Sequence, residues 1–177
     1  PRPIEGAVLM HAFYLHGAKD LRPARTERPA IEKDQVLVRI RATGICGSDL
    51  HYYAHGRNGD FIPARPFILG HESAGEIADA GAFAATLPVG TRVAVDPAHP
   101  CGVCTYCLDG RYNLCPAMRY FGSAASTPPV DGTFRQFAPA RPARAAFGRA
   151  AGRQTRRRGR WQTGARLRRR AHRPTDR

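Results

Sequence analysis

Alternating apolar and polar residues predict several short strands in the first hundred residues of the chain. From Gln35 to Arg41 the β-branched residues Val36, Val38 and Ile40 occupy every second position. This period of two is typical of a strand with one buried face. The segments 10–15, 72–79 and 91–96 are predicted as further strands on similar grounds.

Glycine and proline residues occur at short intervals between residues 44 and 102 and separate the predicted strands from one another. Short strands separated by such turn residues favour a mainly β, barrel-like domain. One short helix is predicted, with Ser48 and Asp49 as its N-cap region before Leu50 and with an end at Gly56.

The net charge of +14 is concentrated in the last part of the chain. Residues 1–134 contain 13 basic and 13 acidic residues, whereas residues 135–177 contain 15 arginines and one acid, Asp176. After Phe137 almost no aliphatic residue larger than alanine occurs, so residues 138–177 are predicted to be disordered or to result from a frameshift near 138–145. A basic nucleic-acid-binding arm is the alternative interpretation.

No apolar run approaches the roughly 18 residues of a membrane span, and no secretion signal is recognisable near the start. A cytoplasmic protein without a membrane partner is therefore expected. The chain opens at Pro1 and the first strand follows Met10, so residues 1–9 are expected to lie upstream of the natural start.

Four of the five cysteines lie within 15 residues of one another. They are Cys101, Cys104, Cys107 and Cys115. This spacing predicts a closed structural zinc site on a lobe formed by residues 97–118, because four thiolates complete the tetrahedral shell of zinc. A redox pair and buried free thiols are the alternatives.

A second set of metal-binding residue types is divided between two motifs. Cys46 lies in Gly-Ile-Cys-Gly-Ser-Asp, and His71 and Glu72 lie in Gly-His-Glu-Ser-Ala-Gly. Three protein ligands with an open fourth position are typical of a catalytic zinc site. Each residue taken alone is compatible with a core or surface role. The assignment of Glu72 as a ligand has the least support, because the side chains of neighbouring residues on a strand face opposite sides.

These motifs, in this order, resemble those of the zinc-dependent medium-chain alcohol and polyol dehydrogenases. The resemblance covers residues 10–137, and the segments 48–61 and 118–124 are similar to the L-idonate 5-dehydrogenases and sorbitol dehydrogenases. It implies a GroES-like catalytic domain that oxidises a secondary alcohol of a polyol or sugar acid with NAD or NADP. It also implies Cys46, His71 and Glu72 as catalytic zinc ligands.

The same resemblance implies that Ser48 and His51 form a proton relay and that Tyr52 lines the substrate pocket. It further implies a homo-oligomer in the complete enzyme. No Gly-x-Gly-x-x-Gly turn of a Rossmann domain occurs in the 177 residues, so a truncated form without turnover is expected. The alternative function is a non-catalytic zinc-binding domain whose basic arm binds nucleic acid.

Overall fold

The computed structural model describes residues 8–82, 87–141 and 145–147. Short strands dominate this part of the chain, and the predicted mainly β fold is confirmed. In chain order the elements are β1 (Leu9–Gly17), β2 (Asp20–Glu27), β3 (Val36–Thr43), α1 (Gly47–His55), β4 (Phe67–Ile68), β5 (Ser73–Ala80), β6 (Arg92–Val95), β7 (Ala98–His99), α2 (Thr105–Leu108), a 3-10 helix (Tyr112–Leu114), β8 (Arg119–Tyr120), β9 (Phe137–Ala140) and β10 (Ala145–Phe147).

The described strands form three antiparallel sheets. Their orders are β2-β1-β4, β10-β6-β5-β3-β9 and β7-β8. The segment before β9 joins the first two sheets, because the N–H of Phe13 donates to the Phe134 carbonyl at 2.9 Å and the N–H of Gln136 donates to the His11 carbonyl at 3.0 Å. These links close the two larger sheets towards each other in a barrel-like arrangement.

The larger sheet carries the main hydrophobic core. Val36 and Val38 of β3 are fully buried and pack in one cluster with Ile77 of β5. Leu37, on the opposite face, is also only 2% exposed. Both faces are therefore covered in the first half of β3, where the alternation predicts one buried face.

A second hydrophobic cluster packs α1 against the sheet formed by β2, β1 and β4. Tyr52 of α1 packs with Leu15, Phe67, Leu69 and Ala124. Its ring meets that of Phe67 edge to face at 5.3 Å between centroids, and its hydroxyl accepts the N–H of Ala124 at 2.9 Å. This packing holds the helix that follows Cys46 in one orientation.

The helix begins earlier than predicted. Cys46, rather than Ser48 or Asp49, is the N-cap, and Asp49 is the third helical residue, whose carboxylate accepts the Cys46 N–H at 2.9 Å. An acceptor at this position satisfies an N–H group that the helix itself leaves unpaired.

The strand β2 was not predicted from the sequence. It contains Pro23 and several charged residues and has no period-two apolar pattern. In the structure it is the outer strand of its sheet. Edge strands tolerate proline and charged side chains, because one side of their backbone makes no ladder hydrogen bonds.

Strand structure continues past the boundary expected after Phe137. Ala138 and Ala140 of β9 pair with Val38 and Val36 and are nearly inaccessible to solvent. β9 is the neighbour of β3 in the sheet, and Ala140 packs in the main core cluster with Val36 and Val38. β10 then pairs with β6. Residues 1–7 and 148–177 lie outside the described residues, so the expectations for an upstream start and for most of the basic tail remain predictions.

The two described α-helices span nine and four residues. Among the described residues, none is therefore long enough to cross a bilayer, which requires about 20 residues.

Candidate metal centres

The four cysteines of the lobe converge on one point. One ligand atom from each of Cys101, Cys104, Cys107 and Cys115 lies within 4.8 Å of all the others. The sulfurs of Cys101 and Cys107 are 4.0 Å apart, close to the separation of about 3.8 Å that zinc–sulfur bonds of about 2.3 Å impose in a tetrahedron. The donor set and its spacing therefore fit a closed zinc site.

Short local elements bring these sulfurs together. Cys104 is the N-cap of α2 and Cys107 lies within it, while the 3-10 helix leads directly into Cys115. The N–H of Cys101 donates to the Cys115 sulfur at 3.3 Å. Such N–H donation stabilises thiolate charge and orients the sulfur towards the others.

The thiol pKa values reflect the crowding of the lobe. Backbone N–H groups of Val103 and Cys104 stabilise the Cys101 thiolate and lower its pKa to about 6. Burial, together with the neighbouring sulfurs, raises the pKa of Cys107 to about 12. A divalent cation bound between the Cys101 and Cys107 sulfurs would stabilise the thiolate form of both.

The second predicted ligand set is also brought together. Ligand atoms of Cys46, His71 and Glu72 all lie within 4.8 Å of one another. His71 is only 8% exposed. The concern that Glu72 faces away from His71 does not apply, because β5 starts at Ser73 and both residues precede the regular strand. A cysteine, a histidine and a glutamate are all zinc ligands, so these residues fit a three-ligand site.

Gly44 and Gly70 allow the segment that contains Cys46 and the segment that contains His71 and Glu72 to lie close together. The N–H of Gly44 donates to the Glu72 carbonyl at 2.7 Å, and a Cβ on Gly44 would lie 2.5 Å from the Glu72 carboxylate. Gly70 has a φ of +92° and lies against the ring of Phe134. A side chain at position 44 or 70 would therefore displace Glu72 or the backbone that carries His71.

A buried carboxylate connects the two halves of this site. Asp49 is 2% exposed and accepts the N–H of Cys46 at 2.9 Å and that of Gly70 at 3.1 Å. Its Oδ1 lies 3.7 Å from Nδ1 of His71. A carboxylate beside Nδ1 favours the tautomer with its proton there and leaves Nε2 as the metal-binding nitrogen. The sequence pattern indicates Asp49 only as part of the N-cap region of the helix.

Replacing Asp49 by asparagine is expected to lower the metal affinity of the Cys46, His71 and Glu72 site by about 10- to 100-fold, as is typical when the partner of a ligating histidine is removed. Co²⁺ titration of protein whose four-cysteine lobe is loaded with zinc measures this change. Asp60→Asn is the matched control, because the Asp60 side chain is fully exposed. Equal Co²⁺ affinities of the two variants would contradict a positioning role for Asp49.

The residues predicted to act on substrate occupy different environments. Ser48 is half-buried in the first turn of α1, and His51 is exposed one turn later. Tyr52 is 1% exposed and belongs to the core cluster under α1. Its ring and its hydroxyl both make core contacts, and the expected place of Tyr52 in a substrate pocket stays a prediction.

Tyr120 is a further residue beside the site. Its ring centroid lies 5.6 Å from that of His71, and the side chain is partly exposed. Burial raises the pKa of Tyr120, and the charges of Asp96, Cys46 and Glu72 add to that effect. No local motif in the sequence indicates this neighbourhood, because Tyr120 follows the lobe and is 49 positions from His71.

Comparison with known proteins identifies the family. The family model of the alcohol dehydrogenase GroES-like domain matches residues 32–147. The chain belongs to the zinc-dependent medium-chain dehydrogenases. Its GroES-like domain is 48% identical over 128 residues to sorbitol dehydrogenase of Bacillus subtilis strain 168, an alignment that covers 72% of this chain and 35% of the relative.

Solved structures agree with this assignment. L-Idonate 5-dehydrogenase of Escherichia coli K-12 superposes with a TM-score of 0.69 at 35% identity, covering 77% of this chain and 39% of that one. An alcohol dehydrogenase of E. coli CFT073 in complex with NADH superposes with a TM-score of 0.68 at 31% identity, covering 81% and 39%. The chain thus spans about a third of the length of the curated relatives it matches.

Proposed function

We propose that this GroES-like domain is the zinc- and substrate-binding part of an NAD(P)-dependent dehydrogenase that oxidises a secondary alcohol of a polyol or sugar acid. The observation that carries the proposal is the convergence of Cys46, His71 and Glu72 at the start of the helix that presents Ser48 and His51. The similarity to a sorbitol dehydrogenase and an L-idonate 5-dehydrogenase supports the substrate class.

The two candidate centres have different chemical capacities. Four cysteine ligands in the lobe leave no coordination position for a substrate, so its proposed role is structural. Cys46, His71 and Glu72 leave one position open. Zinc held there supplies Lewis acidity, which lowers the pKa of a substrate hydroxyl. Asp49 contributes by holding the backbone of Cys46 and Gly70 and by facing Nδ1 of His71.

Ser48 and His51 are proposed to carry the alcohol proton to solvent. They are three residues apart on α1, so their side chains are neighbours on the helix surface. Ser48 is half-buried and lies two positions from Cys46, whereas His51 is exposed. A hydroxyl passes a proton without holding a charge, and an imidazole accepts and releases protons near neutral pH.

The cofactor is proposed to bind outside the described domain. The 177 residues contain no Gly-x-Gly-x-x-Gly turn, which is the feature that holds the pyrophosphate in dinucleotide-binding folds. We therefore assign no NAD(P)-binding residue to this chain. Its contribution is to bind the substrate hydroxyl and to conduct its proton.

The two proposed zinc sites are expected to lose metal at different rates. A closed shell of four thiolates exchanges its metal more slowly than an open three-ligand shell, so a mild chelator should extract one zinc per chain rapidly and the second slowly. Zinc release followed with a colorimetric indicator measures both phases. Cys46→Ser should abolish the fast phase only, and equal loss of both metals would contradict the proposed division between the sites.

A further inference from the structure

The second half of α1 carries two exposed histidines on one face. His51 and His55 are four residues apart, and their ring centroids are 5.9 Å apart with the ring planes inclined by 33°. Residues at this spacing are neighbours on a helix surface. Pairs of histidines four apart on one helical face bind zinc in metalloproteases, which shows that this spacing suits one ion.

The surroundings of the pair favour a cation. His55 is the final residue of α1, and the carbonyl groups at a helix C-terminus give this end a partial negative charge. The guanidinium of Arg57, two residues further on, is already paired with Asp60 at 3.4 Å and with the Gly59 carbonyl at 2.6 Å. Within the described part of the chain, neither imidazole has a hydrogen bond or ion pair that competes for its nitrogen lone pairs.

We propose that His51 and His55 form a third, surface-exposed site for a borderline-soft divalent transition metal such as Zn²⁺, Ni²⁺ or Cu²⁺. Neutral imidazole is a preferred ligand of these ions, and two imidazoles on one rigid helix act as a chelating pair. Water molecules complete the coordination shell, because both side chains are exposed. The site is therefore weaker than the two candidate centres and exchanges its metal freely.

Occupancy of this site has a functional consequence. Ser48, His51 and His55 follow one another at intervals of three and four residues along α1, so they line one face of the helix. A metal bound to His51 occupies the lone pair that accepts a proton from Ser48. Excess divalent metal is thus an inhibitor of proton release. This consequence rests on the proposed function, whereas the metal site itself rests only on the two histidines.

Nickel binding to the zinc-loaded chain tests the site directly. We expect NiCl₂ titrated into the 177-residue protein to broaden two of the seven histidine C–H resonances first in histidine-labelled protein, and calorimetry to give one additional site. His55→Ala and His51→Ala should each weaken Ni²⁺ binding at least about tenfold, because each removes half of a chelating pair. His11→Ala is the matched control, since His11 is also exposed and lies on β1.

The result that overturns the proposal is equally specific. Ni²⁺ binding that is unchanged in His55→Ala, or weakened equally in His11→Ala, would show that the pair is not the ligand. Release of zinc into solution in step with nickel uptake would show that nickel only replaces zinc at the other centres. These measurements do not depend on turnover, so they distinguish failure of the metal site from failure of the proposed dehydrogenase function.

Discussion

Replacing Cys115 by serine is expected to remove the zinc of the four-cysteine lobe and to destabilise the whole domain. Cys115 is the buried member of the set, and its sulfur accepts the Cys101 N–H. A ligand that binds only the folded state stabilises it by about 4 kcal/mol when its free concentration is a thousand times its dissociation constant. Losing a tightly bound zinc should therefore lower the free energy of unfolding by at least about this amount.

The measurement is zinc content together with urea unfolding. Wild-type protein that has not been exposed to a chelator should contain two zinc ions per chain, and Cys115→Ser should contain one. Cys46→Ser is the matched control, because it also removes one thiolate and one zinc but from the proposed open site, and its loss of stability should be smaller. A Cys115→Ser protein with full zinc content and unchanged stability would contradict a structural centre in the lobe.

The 177-residue polypeptide is expected to show no NAD(P)-dependent oxidation of idonate, sorbitol or simple alcohols. Hydride transfer needs the nicotinamide ring held beside the substrate, and such positioning is worth effective concentrations of about 10⁵ to 10⁸ M. These residues contain no dinucleotide-binding turn to provide it. Cofactor reduction followed at 340 nm is the assay, and turnover by this polypeptide alone would contradict the proposal.

A chimera separates a missing cofactor site from a defective metal site. In this chimera, the present chain supplies the 128 residues that align with the B. subtilis sorbitol dehydrogenase. The sorbitol dehydrogenase supplies the rest of the polypeptide. The chimera is expected to oxidise sorbitol, and His71→Ala in it should lower kcat/KM by at least about 10³-fold, since Lewis-acid stabilisation is worth several kcal/mol. His16→Ala is the control, because His16 is an exposed residue of β1. A chimera that keeps its activity after loss of His71 would refute the catalytic assignment.

The two proposed zinc sites differ in how far apart their ligand residues lie in the sequence. The lobe ligands fall within 15 residues and are joined by α2 and one 3-10 helix, so local backbone structure is sufficient to gather them. Cys46 and His71 are 25 residues apart and meet through the pairing of β3 with β5, which continues into the Gly44–Glu72 hydrogen bond. The proposed catalytic site therefore depends on the sheet, whereas the lobe depends mainly on itself.

Sequence alone was sufficient for the mainly β class, for the short helix after Cys46 and for choosing the two groups of metal-binding residue types that the structure brings together. The fold class and the helix follow from a period of two and from turn residues, and the four-cysteine group follows from its spacing, whereas the grouping of Cys46, His71 and Glu72 as ligands is what the family resemblance implies. The alanines of β9 show the limit of composition as a guide. Ala138 and Ala140 have little apolar surface of their own, yet they are buried because β9 pairs with β3, whose Val36 and Val38 lie in the main hydrophobic core.

Tertiary structure decided the roles of the residues around the ligands. Asp49 reads locally as a helix cap, but burial beside Gly70 and His71 makes it the carboxylate that connects both halves of the site. Tyr52, next to His51 in the chain, points into the core because side chains of adjacent helical residues diverge by about 100°. Which side of a helix is buried depends on the elements packed against it, and those elements are distant in the sequence.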